Sequence, residues 1–424
     1  MAHTKREAVS GTLVNLSMLL YMTWLLLPAV QTTLRAVTGV LAVGLFGVGA
    51  MLAGGTLGGR IRWLAPRALL CVLLPVALFF LLERGGGNLP AYLVQQGMFW
   101  FPLLWCAFAR KAGDARHYRL VLPLLLALVV ITTLTTTGWL VQGLLRGDKV
   151  YAYARSLGSG AAGNEAYLKE LMGRNIGGYD FVYMTVLALP VTFYLAGQAR
   201  GWKRFAFVAL YSLQLGMIAL SQYTYAIIFA LGVTAVELFA ALLRRVFRRV
   251  SVQASLLWSL PVVAVVWLLR LPLIRWAGGL MAGIGFQNAQ YSLAQLLNLL
   301  TGTVVDAGSR LATYTLPLQG IAASPVIGSL AGGQRYLGMH SDLLDLLSGL
   351  GILGTLIFAL CAYGIGRGSA LGARRLPAAP HLVLQALLLL ACLALGTVFY
   401  SREIPLLVCL TYALLLREPQ AAQA

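Results

Sequence analysis

RLVLPLLLALVVITTLTTTGWLVQ, residues 119–142, decides the fold class: Arg119 carries the only charge in the run. A bilayer core of about 30 Å is crossed by a helix of roughly 20 apolar residues. Inside that core every backbone N–H and C=O must be paired within the protein, and a helix pairs its own. The rest of the chain is written the same way. Of its 424 residues 59% are hydrophobic and 11% charged, with a mean hydropathy of +0.81. A soluble domain carries roughly 25% charged residues, so this chain has too little polar surface to dissolve. It reads as one all-α, polytopic integral membrane domain, 1–424.

Comparable apolar runs fall at 11–30, 36–54, 67–83, 91–109, 119–142, 179–197, 204–221, 224–243, 254–270, 341–364, 381–399 and 403–416. They predict about 12 transmembrane helices, the last of them short. The charges order them. With both termini inside, 20 of the 32 basic residues but only four of the 13 acids fall on the cytoplasmic side. The clusters are Lys5/Arg6, Arg60/Arg62/Arg67, Arg110/Lys111/Arg116/Arg119, Arg200/Lys203/Arg204, Arg244/Arg245/Arg248/Arg249, Arg367/Arg374/Arg375 and Arg417. Short cytoplasmic loops collect Lys and Arg, so topology accounts for the net charge of +19, and no nucleic-acid partner is implied. The first run has no small-residue cleavage site and reads as a retained span. The five cysteines all lie in apolar runs, with neither disulfide nor zinc spacing.

Two outward connections are long, 144–178 and 271–340. Loops of that length in compact proteins are functional or disordered, and these carry helical patterns at 165–172, 291–300 and 306–321. The span interiors hold almost no ionisable groups. Glu237 reads as an interfacial partner of Arg244 and Arg245, and no interrupted helix or internal repeat is visible.

Polar chemistry gathers outside. Of four histidines, His3, His117 and His381 fall on the cytoplasmic side, and His340 alone lies outside, where the second long loop re-enters the membrane. Imidazole is the side chain best suited to accept a proton near neutral pH. Ser341 and Asp342 behind it read as a helix cap and a dipole partner. Arg155, Arg174, Arg310 and Arg335 lie in or beside the long loops, and a guanidinium fork suits phosphate. Arg310 and Tyr314, four apart on a predicted helix, share a face. No phosphate loop, glycosidase carboxylate pair or metal set appears, so neither metal nor cofactor is expected.

The stretches Ser309-Arg310-Leu311-Ala312-Thr313-Tyr314, Ser324-Pro325-Val326-Ile327-Gly328, Gly338-Met339-His340-Ser341 and Gly351-Ile352-Leu353-Gly354-Thr355 together resemble a known signature. It is that of the O-antigen ligase and O-antigen or capsular polysaccharide polymerase superfamily, membrane glycosyltransferases of the GT-C type. The resemblance implies transfer of a glycan from undecaprenyl pyrophosphate to an acceptor hydroxyl, inverting and metal-independent, at the outer face of a bacterial inner membrane. It makes His340 the catalytic base or acceptor-positioning group and Arg310 a donor-pyrophosphate ligand, with Arg174 and Arg155 beside it. Tyr314, Arg335 and Tyr336 become substrate-binding candidates. Ligases of the family usually carry an arginine at the outer turn after the seventh span. This chain has Ser221-Gln222-Tyr223-Thr224 there, while Arg174-Asn175-Ile176-Gly177-Gly178-Tyr179-Asp180-Phe181-Val182-Tyr183 looks more like the polymerases. Polymerase is therefore favoured, with the acceptor another lipid-linked repeat unit. The alternatives are a ligase acting on a lipid A-core glycolipid and, from another class, a flippase for the same lipids. Chain-length regulator and flippase proteins are the implied protein partners.

Cysteines introduced within 150–175 and 280–335 are expected to react with an impermeant thiol reagent applied from outside. Labelling of either segment only after permeabilisation overturns this topology.

Overall fold

A proline sets the first corner. Pro28 fixes its own φ and lacks an N–H, so it ends one helix and opens the next. α1 (Ala2–Leu26) and α2 (Pro28–Leu52) are joined by the single extended residue Leu27. The expected boundary at 30–36 thus moves back to 27, and Arg35 lies inside α2. The two helices pack as a hairpin, closest where Ser10 donates to the carbonyl of Gly49 at 2.6 Å.

The structure is a computed structural model and describes residues 2–53, 101–102, 104–106, 108, 116–146, 165–221, 223–246, 261, 265, 268–283, 290, 293–294, 297, 301, 310–334, 336–338, 340–373, 379–396, 403–404, 406–407 and 411. Among the described residues there is no strand. After the hairpin come α3 (Arg116–Leu145), α4 (Glu165–Gly173), α5 (Tyr179–Gln198), α6 (Trp202–Ser221), α7 (Thr224–Val246), α8 (Arg270–Gly283), α9 (Arg310–Ala323), α10 (Asp342–Ala373) and α11 (Ala379–Leu395). Six helical stretches are long and apolar enough to cross a membrane: Lys5–Leu26, Leu120–Gly143, Tyr179–Gln198, Trp202–Ser221, Tyr225–Leu243 and Asp342–Leu360. Val37–Leu52 and His381–Leu395 are shorter apolar helices. This is a helical, multi-pass membrane protein. The expected spans 67–83, most of 91–109, most of 254–270 and most of 403–416 lie outside the described residues.

α5 is the central helix. Every residue from Phe181 to Thr192 is buried, so it is apolar all round and wrapped by neighbours. It packs on α6, α7 and α11. Phe101 and Phe108 meet Phe46 edge-on beside α1 and α2, and Trp105 donates to the carbonyl of Val14 at 2.9 Å. The helix ends fall into two levels. One holds the Leu27 corner, Thr132–Thr136, the 174–179 corner and Gly396; the other holds Ser10, Gly49, Phe193, Glu237 and His381.

Glu237 corrects the sequence reading. It stands on the face of α7 that buries Ala226, Ala230, Val233 and Ala240, at alternating spacings of four and three. Arg245, at the helix end, is exposed, whereas the Glu237 carboxyl is buried. Its Oε1 lies 2.6 Å from Nδ1 of His381 at the start of α11, between the rings of Phe193 and Tyr194. Glu237 has no exposure and His381 5%. Removing one partner of such a pair costs about 3–5 kcal/mol, because the other is stranded in apolar surroundings. His381→Leu and Glu237→Leu are each expected to destabilise the detergent-solubilised protein strongly, and the double variant far less than their sum. Additive losses in a thermal-unfolding cycle show that the two do not act as a pair.

Candidate functional site

Sequence reasoning placed the outer chemistry around α9 and α10, and these two helices are built around a gap. α10 is interrupted at Gly351, whose φ of 65° and ψ of −177° belong to a region open essentially to glycine alone. This overturns the expectation of uninterrupted spans. Gly351 stands nine residues beyond Asp342, about 14 Å along the helix. A break there leaves carbonyls without partners on one side and N–H groups on the other. The turn at 324–330, the expected S-P-x-x-G element, supplies both. Ser329 and Leu330 donate backbone N–H groups to the carbonyls of Ser348 and Gly349 at 2.8 and 3.2 Å. The carbonyls of Pro325 and Val326 accept from the N–H groups of Ile352 and Leu353 at 2.9 and 3.1 Å. Such an approach needs missing side chains: a Cβ at Gly328 would stand 2.1 Å from the carbonyl oxygen of Gly349.

Contacts along this unit fix its path. A Cβ at Gly338 would meet the carbonyl of Thr313, and one at Gly320 would meet Ser348 and Tyr336. α9 therefore descends beside the first half of α10 in the same direction, and the extended segment 334–340 climbs back between them. The exposed apolar residues Val326, Ile327, Ile352 and Leu353 gather at the bottom.

His340 sits at the top of that returning segment, exposed, immediately before the helix. Ser341 caps α10 as expected, its hydroxyl accepting from the N–H of Leu344 at 3.2 Å. Oδ1 of Asp345 accepts from the N–H of Gly338 at 2.8 Å and so pins the chain two residues ahead of the histidine. The N–H of Asp342 is bonded to the carbonyl of Gly396 at the end of α11. The imidazole is thus carried on backbone tied to α10 and to the end of α11.

The other candidates divide. Arg310 opens α9, and Tyr314 stands one turn on, half-buried. Tyr336 is half-buried, with its carbonyl bonded to the hydroxyl of Ser348 at 2.8 Å. Arg155 and Arg335 lie outside the described residues. Arg174 belongs to the α4–α5 corner, 2.6 Å from Glu170 and stacked 4.5 Å over Trp139 of α3. α4 ends there in a Schellman motif: Asn175 takes a positive φ of 61°, Ile176 bonds back to Leu171 and Asn175 to Met172. The threonines of α3 hold the corner from the side, Thr135 donating to Asn175 and Thr136 accepting from Gly177.

This corner closes a feature that sequence reasoning missed. Leu25, Pro28, Gln31, Met172, Ile176, Gly178, Tyr179, Asp180, Phe181 and Glu403 enclose a cavity of about 320 Å³. Its two carboxylates come from opposite halves of the chain. The signals were an acid opening α5 after two glycines and Glu403 beside Arg402 in an otherwise apolar stretch. Neither points to the other without the fold. Tyr179, on the cavity wall, reaches Gly396, its hydroxyl 3.3 Å from where a Cβ would stand. Gly396 is also the residue whose carbonyl holds the N–H of Asp342.

No family model, curated protein or solved structure matches the chain. The site rests on its own geometry.

Gly351→Ala is expected to cost about 1–3 kcal/mol in backbone strain alone, and more because its Cβ would stand 2.3 Å from the carbonyl of Val326. Gly332→Ala, with nothing nearer than 3.6 Å, is expected to be neutral. Equal thermal stability of the two variants argues against the interrupted helix.

Proposed function

We propose that this protein is a membrane glycosyltransferase. It takes a glycan from an undecaprenyl-pyrophosphate donor and joins it to a hydroxyl of another lipid-linked repeat unit, on the extracytoplasmic face of a bacterial inner membrane. The observation that carries the reading is the position of His340. It is an exposed imidazole on backbone fixed by Asp345 and Gly396, ahead of a capped helix.

The reaction asks little of the protein. Pyrophosphate is already a good leaving group, so the enzyme must hold it, align the acceptor and take one proton. The acceptor O–H gives its proton to the neutral imidazole of His340 while its oxygen attacks the anomeric carbon. The bond from that carbon to the pyrophosphate oxygen breaks on the opposite face, and undecaprenyl pyrophosphate leaves with the electron pair. Attack from that side inverts the anomeric centre. Arg310 fits the donor phosphates because it opens α9, where its charge and the helix N-terminus act together on an anion. The apolar residues at the foot of α9 suit the isoprenoid chain. Arg174 is the weaker donor ligand, since Glu170 and Trp139 already engage it.

The interrupted α10 favours one other reading. Transporters place broken helices at the binding site and use the freed backbone groups to hold substrate and ions. Here the groups flanking the break are bonded to the protein's own turn, which favours a rigid support over an ion site. Ligase and polymerase differ only in the acceptor. Purified enzyme given lipid-linked repeat units alone is expected to produce a ladder, and product only on adding a lipid A-core acceptor makes it a ligase. His340→Ala and His340→Gln are expected to slow turnover by about 10²–10⁴-fold with donor binding retained. Arg310→Ala weakens donor binding, and Arg310→Lys restores part of it. Near-normal turnover of both histidine variants refutes the catalytic assignment.

A further inference from the structure

Cations collect at one end of the α5–α6–α7 layer with no acid to balance them. Between Asp180 and Asp306 the chain carries nine basic residues and one acid, Glu237. That acid is buried and engaged by His381. Gly201, at a φ of 56°, turns the chain between α5 and α6, with Arg200 just before it and Lys203 and Arg204 just after. α6 ends at Ser221 and α7 opens at Thr224, so the two form a hairpin, and Tyr211 meets Thr234 at 2.8 Å. Beyond that contact the opening of α6 and the end of α7, with Arg245, lie toward the same end. Arg200, Lys203, Arg204 and Arg245 are all exposed, and among the described residues no acid pairs with any of them. Two large aromatics open α6 beside these charges. Trp202 is 75% exposed and Phe205 63%, their rings stacked with centroids 5.4 Å apart. Val208, also exposed, follows one turn on. On α7 the exposed residues Leu231, Leu238, Leu242 and Val246, at spacings of seven and four, form one apolar face that leads down to the same end.

We propose that this end of the layer is a binding site for anionic phospholipid. Arg200, Lys203 and Arg204 hold the phosphate, Arg245 adds to the charge, and the acyl chains lie along Phe205 and Val208. The occupant follows from the combination of groups. Exposed apolar faces on membrane-spanning helices meet lipid tails, and Trp with Lys or Arg at the end of such a face stands at headgroup level. A soluble anion would use the cations but leave Trp202 and Phe205 in water. The guanidinium forks of Arg200 and Arg204 suit phosphate oxygens. A zwitterionic headgroup brings a cation of its own into this uncompensated positive field, so an anionic one is preferred. The start of α1 makes a useful contrast: Lys5 and Arg6 are exposed too, but Glu7 follows them directly and no aromatic stands beside them. Such a site needs nothing from the glycan-transfer reading.

The test titrates the full-length protein in non-ionic detergent with phosphatidylglycerol and phosphatidylcholine of equal chain length, read by native mass spectrometry. Phosphatidylglycerol is expected to bind at least about tenfold more tightly, given three cations near one headgroup. Lys203→Gln/Arg204→Gln, with its melting temperature checked, is expected to lose most of that preference. Lys203→Arg/Arg204→Lys keeps the charge and is expected to retain it. Lys5→Gln/Arg6→Gln removes the same charge from the start of α1 and is expected to leave the preference intact. Four outcomes overturn the proposal. The first two are equal binding of both lipids by the wild type and a preference that survives in Lys203→Gln/Arg204→Gln. The third is an equal loss in Lys5→Gln/Arg6→Gln, which makes the effect one of net charge with no site. The fourth is release of the lipid by inorganic phosphate at equal concentration, which makes the cations a site for free anions.

Discussion

An unpaired backbone group in an apolar environment costs several kcal/mol, and that constraint governs the half of the molecule that carries His340. α10 is broken at Gly351, and the break survives because the 324–330 turn bonds to both of its sides. Everything above the turn inherits its position from those four hydrogen bonds. α9 must run beside α10 to deliver the turn, and 334–340 must climb back between them to reach Ser341. His340 is where that climb ends. A helix that continued without interruption would leave the 324–330 turn without those four bonds, and only the close approach at Gly320 and the bonds of Tyr336 and Gly338 would tie the unit to α10.

Two groups of polar side chains stand at the two levels of helix ends, and they differ in kind. At one level Glu237 and His381 are buried and paired with each other, the imidazole packed against Phe193 and Tyr194. At the other, Asp180, Glu403 and Tyr179 line open space, and Thr132, Thr135 and Thr136 spend their hydroxyls on fixing the corner that encloses it. Buried pairs hold helices in register; polar walls around a void hold guests. Only the second kind of arrangement has room for chemistry.

Much of this was legible in the sequence, and what was not has a physical reason. The apolar runs gave the helices because 20 residues without charge have few alternatives in a membrane, and α4 and Ser341 were visible because capping is local. The corner at Leu27 was missed because the apolar pattern runs straight through it, although Pro28 stood there to mark it. Glu237 was misassigned because its partner, His381, stands 144 residues away in the sequence, whereas the arginines were close at hand. Gly351 was quoted as part of a motif and read as spacing, since only coordinates show a positive φ. The cavity was beyond reach altogether: Gln31, Asp180 and Glu403 are neighbours through three separate helix ends.

That last case bears on how the quoted motifs divide. Gly328 and Gly351 are required by backbone contact, and a side chain at either would collide with a carbonyl oxygen whatever the protein does. Ser341 and Asp345 hold the chain by hydrogen bonds that any capped helix could use. The same stretch carries Arg310, which opens α9, and His340, which is exposed immediately before α10. They stand at the upper ends of two neighbouring segments, α9 and its return. On the proposed reading, a cation and a proton acceptor at those two ends are the minimum set for moving a group from an anionic carrier to a hydroxyl. The remaining residues of the signature keep those two in place.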